Sequence, residues 1–269
     1  AFNAPLNHLD PTLDDLWEDP YEREALQGLR GWLEGVKTSD RRFYQAPVSW
    51  RIVPRILGYA ARAVAQAEEG AAISLRAVSD TPVCIPPTAT DPLGRVFSTG
   101  GYHNAKTGPC LDNLAAAWAD LSLLCDRHTD KMMNGAVSLL PAGLTGKGGG
   151  YLGGLAFASA GFTEQARLAA QRTFLPGMES GGYGQNDVPV QYFLSWKKES
   201  EAGWCFQNTL ALLAAVSSQA LFVTERPAPP RLKDLVEEIR TLLPPVDEPR
   251  VLGEDAAALA ERFEARIYG

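Results

Sequence analysis

Apolar residues recur at helical spacing through most of this chain. Between Thr12 and Lys37, the residues Leu26, Leu29, Leu33 and Val36 share one face. Pro20 suits the first turn of a new helix within that stretch. A second helix is predicted from about Pro54 to Glu69, with Ile56, Ala60, Ala63, Val64 and Ala67 along one side and Gly70 as its stop. The clearest pattern runs from Leu111 to Asn134. There Leu111, Leu114, Ala115, Trp118, Leu121 and Cys125 fall on one face, while Ala116, Ala117, Leu123 and Leu124 make other faces apolar too. A helix apolar on several faces belongs inside a bundle.

A Gly-rich linker over 141–154 leads to a helix ending near Phe174. A loop over 176–188 then precedes a long helix ending near Thr224. Two amphipathic helices close the chain. One carries Leu232, Leu235, Val236, Ile239, Leu242 and Leu243, the other Ala256, Leu259, Ala260, Phe263 and Ile267, with Pro244, Pro245 and Pro249 between them. No internal repeat and no sustained β-alternation is seen. The expected fold is all-α, a bundle of long, roughly antiparallel helices, read as a single helical domain over residues 1–269. Three stretches interrupt it: a loop over 1–11, an irregular segment over 38–50, and a Pro-, Thr- and Gly-rich loop over 77–105 with room for short strands. Long loops in compact domains are often functional.

Composition narrows the partners. The 269 residues are 45% hydrophobic and 21% charged, as in an ordinary folded protein. A net charge of −7 without a basic block argues against nucleic acid and against an anionic membrane surface. Cys84, Cys110, Cys125 and Cys205 are too scattered for a zinc site or a disulfide framework, and are read as reduced thiols of a cytoplasmic protein. With only His8, His103 and His128, no metal is expected. No signal peptide is recognised, and a start at Ala-Phe-Asn suggests a trimmed end. The longest apolar stretch, Thr209 to Val223, is broken by Ser217, Ser218 and Gln219 and is short for a membrane span. It is read as a buried helix.

Few motifs carry chemistry by themselves. Gly148-Gly149-Gly150-Tyr151-Leu152-Gly153 fits a dinucleotide-loop pattern but follows no predicted strand, so it is read as an interhelix loop. Gly146-Lys147 lacks the spacing of a phosphate loop, and neither His-Glu-x-x-His nor Gly-x-Ser-x-Gly occurs. Polar and aromatic groups gather instead in three loops: Tyr44 to Arg51, Ser98 to Asn104 and Ser180 to Asp187. Arg51 can grip a carboxylate through its planar fork. Gln45, Gln185 and Asn186 can orient an amine or a carboxylate. Taken singly, each of these polar residues is more often a helix cap or a surface loop residue.

Taken in order, these loops resemble the aromatic amino acid ammonia-lyase and aminomutase family, which includes histidine, phenylalanine and tyrosine ammonia-lyases. Gln45-Ala46-Pro47-Val48-Ser49-Trp50-Arg51 is similar to its Gln-Asp-x-Tyr-Ser-x-Arg segment, and Ala77-Val78-Ser79-Asp80-Thr81-Pro82 to its Ala-Val-Ser-Asp-Asn-Pro. Gly100-Gly101-Tyr102-His103 resembles Gly-Asn-Phe-His. Arg127 to Asn134 with Leu140-Pro141 resembles the Arg-Arg-Ile and Leu-Pro stretch. Gln185-Asn186-Asp187 resembles the segment before the last core helix. The likeness covers about residues 40–224, the C-terminal half of the family's chain.

The resemblance implies a tetramer-like core whose active sites mix several chains. It also implies methylidene-imidazolone, an electrophile made by cyclising an Ala-Ser-Gly, with a lid tyrosine as base. By the same resemblance, Arg51 holds the substrate carboxylate and Tyr102 packs beside the prosthetic group. Gln45, Gln185 and Asn186 fall at polar positions around it.

Departures are several. No Ala-Ser-Gly occurs, the nearest stretch being Ala158-Ser159-Ala160 on a predicted helix. Val48 replaces a tyrosine and Gly101 an asparagine, and Asn186 stands where histidine lyases carry glutamate. The expectation is therefore one subunit of a split carbon-nitrogen lyase or aminomutase acting on an aromatic amino acid. A second polypeptide with the N-terminal half would supply the electrophile within a hetero-oligomer. The alternatives are a non-catalytic scaffold or regulatory subunit, or an assembly running a different reaction.

Overall fold

The computed structural model describes residues 1–2, 4–36, 45–174 and 181–267, with residues 266–267 described by backbone alone. Tyr44, Ser180 and the predicted helix end at Lys37 lie outside the described residues. Ten α-helices occur among them. The first, α1 (Leu13–Leu16), is a single turn, followed by α2 (Pro20–Trp32) and α3 (Val48–Arg51). The frame is made by α4 (Val53–Arg76), α5 (Thr107–Met133), the short α6 (Gly135–Ser138), α7 (Gly153–Ala169) and α8 (Tyr192–Val223). The chain closes with α9 (Lys233–Leu242) and α10 (Gly253–Ile267).

The helical stretch that begins at Thr12 is thus two helices, the second starting at Pro20 as the sequence suggested. Asp19 divides them: its carboxylate accepts from the amides of Tyr21 (2.9 Å) and Glu22 (3.1 Å), and Pro20 follows at the first helical position. The expected stop at Gly70 is not observed, and α4 continues to Arg76. A helical glycine costs only about 1 kcal/mol, and the next turn is held independently. Ser74 Oγ donates to the Gly70 carbonyl (2.8 Å) and accepts from Asn104, and the Ala77 amide reaches Ile73 (3.0 Å). The helix expected to reach Phe174 ends at Ala169. Beyond it Asp112 captures the Thr173 amide (2.7 Å) and hydroxyl (2.8 Å), tying the chain to α5.

The core is central and helical. On α5, Leu114, Ala115, Ala117, Ala119, Leu121, Leu124 and Cys125 are buried, so several faces are covered, as the pattern required. Antiparallel α4 packs on it through Ala60, Ala63, Leu114, Ala117 and Leu121. By length and composition α8 could cross a membrane, but it lies within the bundle, packed by α5, α7, α9 and α10. Its Gln219, 2% exposed, donates to the carbonyls of Leu144 (3.1 Å) and Val246 (2.8 Å) and accepts from the Val246 amide (2.9 Å). The loop over 77–105 holds a small hairpin, β1 (Val83–Ile85) antiparallel to β2 (Arg95–Phe97).

The Gly-rich linker is a packing device. The Gly150 amide donates to the Asp247 carbonyl (2.6 Å) and the Gly148 amide to Asp247 Oδ1 (3.2 Å). A Cβ on Gly150 would come within 2.6 Å of the Val246 carbonyl oxygen. The run joins two helices, as expected, but it is packed rather than flexible, and glycine is needed for close backbone approach.

Candidate functional site

Arg51 ends α3, a single turn started by Pro47. Its Nε donates to the Ala46 carbonyl (3.0 Å), which fixes the side chain across the turn. Among the described residues its two Nη groups make no hydrogen bond, which leaves the fork available to a carboxylate. Gln45 is exposed at the entry to the same turn. Neighbouring Trp50 is stacked between Phe2 and His128, each with ring centroids 4.0 Å away. His128 lies near the C-terminal end of α5. Burial pushes its imidazole down to about 4, against a smaller opposing effect from a hydrogen bond to the Ser49 backbone.

Tyr102 lies at the other end of α5. It sits in a turn closed by the His103 amide on the Gly100 carbonyl (2.9 Å), and 46% of it is exposed. Its carbonyl accepts from the Tyr192 hydroxyl (3.2 Å) at the start of α8. Asn104, two residues on, reaches Ser74 at the end of α4.

Gln185 and Asn186 lie in a tight loop just before α8, where the Asn186 amide donates to the Gly181 carbonyl (3.1 Å) and the Gln185 amide to that of Gly182 (3.2 Å). Gly182 and Gly184 have φ of +59° and +83°, conformations that side chains disfavour. Both polar side chains are exposed.

The predicted residues therefore form two groups. Gln45 and Arg51 belong to the turn whose Trp50 packs on His128, whereas Tyr102, Gln185 and Asn186 belong to segments that lead into α5 and α8. Thr107 and His128 are separated by roughly 30 Å of helix at 1.5 Å per residue. One copy of the chain does not bring the groups together. Sequence reading gave no role to His128 or Trp50, because their contact joins segments far apart in the chain and leaves no periodic signature.

The buried thiols suit no redox chemistry. Burial pushes Cys125 up to about 12 and Cys205 up to about 11, so neither forms thiolate readily. Ser159 of Ala158-Ser159-Ala160 is fully buried within α7. That stretch lacks the glycine of the cyclising tripeptide and is held as helix, so it does not fit as a source of methylidene-imidazolone.

Residues 1–241 match the family described as aromatic amino acid lyase. This chain belongs to that family. It is 26% identical over 258 residues to the histidine ammonia-lyase of Symbiobacterium thermophilum, covering 94% of this chain and 50% of that protein. To the histidine ammonia-lyase of Deinococcus radiodurans it is 26% identical over 239 residues, 86% of this chain and 44% of the relative. The chain spans about half the length of the curated relatives it matches.

Among solved structures, the fold is similar to histidine ammonia-lyase of Trypanosoma cruzi (TM-score 0.84, 18% identity, 99% of this chain and 50% of that one). It is also similar to the ergothionase of Treponema denticola (TM-score 0.85, 16% identity, 99% and 54%). The tyrosine aminomutase of Streptomyces globisporus is a further likeness (TM-score 0.81, 18% identity, 95% and 52%). At these identities the likenesses establish the fold: the chain has the architecture of the C-terminal half of the family.

Proposed function

We propose that this chain is the carboxylate-binding half of a split aromatic amino acid ammonia-lyase or aminomutase of the cytoplasm, and that a second polypeptide carries the N-terminal half. The observation that best supports this reading is Arg51 itself, held in place through Nε, with two Nη donors that make no hydrogen bond among the described residues. A planar guanidinium presenting two parallel N–H groups recognises a carboxylate in both position and orientation. Tyr102 would offer an aromatic face to the prosthetic group, and Gln45, Gln185 and Asn186 would orient the polar ends of the substrate. The separation of the two groups along α5 means that a site using both would draw them from different copies.

Methylidene-imidazolone, when present, supplies the electrophile that makes an otherwise unreactive β-proton removable. This chain has no Ala-Ser-Gly to form it, so the group would come from the partner. Co-purification followed by mass analysis tests the arrangement. The expected partner contains Ala-Ser-Gly with the mass of two waters missing. An Ala-Ser-Gly found upstream in the same polypeptide would refute the split while leaving the lyase reading standing.

Arg51→Gln in the active assembly is expected to raise KM and cut kcat/KM by about tenfold to a hundredfold, since a hydrogen bond to a charged group contributes about 1.5–3 kcal/mol. A second reading, a non-catalytic scaffold with the same fold, is favoured by Val48, 57% exposed where a tyrosine stands in the family motif. Unchanged turnover in Arg51→Gln would select the scaffold.

A further inference from the structure

We infer that His128 is a positioning residue for Arg51: its ring clamps Trp50 against Phe2 and so holds the single-turn helix that ends in the arginine. The inference rests on the proposed carboxylate role of Arg51. A one-turn helix has almost no stability of its own, because nucleation costs more than one or two hydrogen bonds return. In α3 no side chain caps the N-terminus, and the backbone bonds are those of Trp50 to Pro47 (3.0 Å), Arg51 to Pro47 (3.4 Å) and Ile52 to Val48 (3.0 Å).

What holds this turn must come from outside it. Trp50 lies nearly parallel to both neighbours, with interplanar angles of 23° to Phe2 and 25° to His128. Offset ring pairs of this kind add about 0.5–1.5 kcal/mol each beyond burial. The Ser49 backbone of the same turn also acts on the His128 ring, opposing in small part the effect of burial. Trp50 and Val53, together with Phe2, border a cavity of about 640 Å³.

His128 can act as a clamp because its own helix is packed on several faces. Cys125, Asp126, Thr129 and Met132 surround it on α5, each 5% exposed or less. Its Nε2 is buried without a hydrogen-bond partner among the described residues. A buried nitrogen without an acceptor favours the neutral ring, which stacks on Trp50. The chain of contacts therefore runs from rigid α5, through His128 and Trp50, to Arg51.

Hydrogen exchange on the chain as it purifies, together with any partner that accompanies it, tests the clamp without reference to turnover. In His128→Ala the Trp50 and Ile52 amides are expected to exchange at least tenfold faster, with Leu121 on α5 unchanged. His128→Phe, which keeps the stack, should retain most of the protection. Unchanged exchange in α3, or equal acceleration along α5, overturns the inference. Should His128→Ala fail to fold, His128→Phe decides: retained protection of α3 supports the clamp and lost protection refutes it.

In the active assembly His128→Ala should raise KM severalfold with kcat nearly unchanged, and His128→Phe should restore KM. If Arg51→Gln leaves turnover intact, the carboxylate reading fails, while the exchange result still decides whether His128 holds the turn.

Discussion

Gly58 on α4 shows how far a single missing atom can matter. A Cβ there would come within 2.7 Å of the Glu22 amide nitrogen and 2.8 Å of its Cα on α2. Backbone cannot rotate aside, so Gly58→Ala is expected to cost about 1–3 kcal/mol, read from the shift in denaturation midpoint. An unchanged midpoint would mean that the two helices are not in this contact. His128 predicts a pH dependence. Its pKa is about 4 in the folded chain against about 6.5 when unfolded. Below 6.5 the unfolded chain binds the proton more readily, so this contribution is full above that pH and is lost as pH falls from 6.5 to 4. The loss is on the order of 3 kcal/mol. Denaturant titrations across this window should show wild type losing stability relative to His128→Phe as the pH falls. A constant gap between them would remove the effect.

Among the elements, α8 depends most on a polar residue. Gln219 satisfies two carbonyls and one amide that would otherwise be buried without partners. Gln219→Leu keeps the volume but strands all of them, and is expected to cost about 2–4 kcal/mol in thermal or denaturant unfolding. A neutral result would show that water reaches the linker. The linker is the other face of the same junction, where Gly148 and Gly150 lie against Asp247. Gly150→Ala should loosen α9 and α10 from α8, seen as faster exchange at Val246. Unaltered exchange there would place the glycine requirement elsewhere.

At the scale of the molecule, large apolar side chains remain uncovered. Phe157 and Leu168 of α7 are 82% and 72% exposed, Phe193 and Trp196 of α8 are 79% and 59%, and Phe174 is 74%. Large apolar side chains exposed to this degree favour association with another surface. Produced alone, the chain is expected to self-associate or aggregate, and sedimentation velocity would show species larger than the 29.1 kDa monomer. A well-behaved monomer at micromolar concentration would count against the split-subunit proposal.

The helices were legible because burial of a helical face imposes a 3.6-residue period. Leu114, Leu121 and Cys125 report that period locally, whatever their partners turn out to be. The family was legible from short loop motifs in order, which depend on residue identity and spacing alone. Helix ends were less so. The stop expected at Gly70 was overridden by Ser74 and Asn104, residues whose contact exists only once α4 and the loop before α5 have folded together. The same holds for the site. Arg51 and Tyr102 could be picked out one by one, but sequence carries no measure of the distance between them. Only the packed structure puts α5 between the two and His128 beside Trp50, because those relations arise from helices docking across long sequence separations.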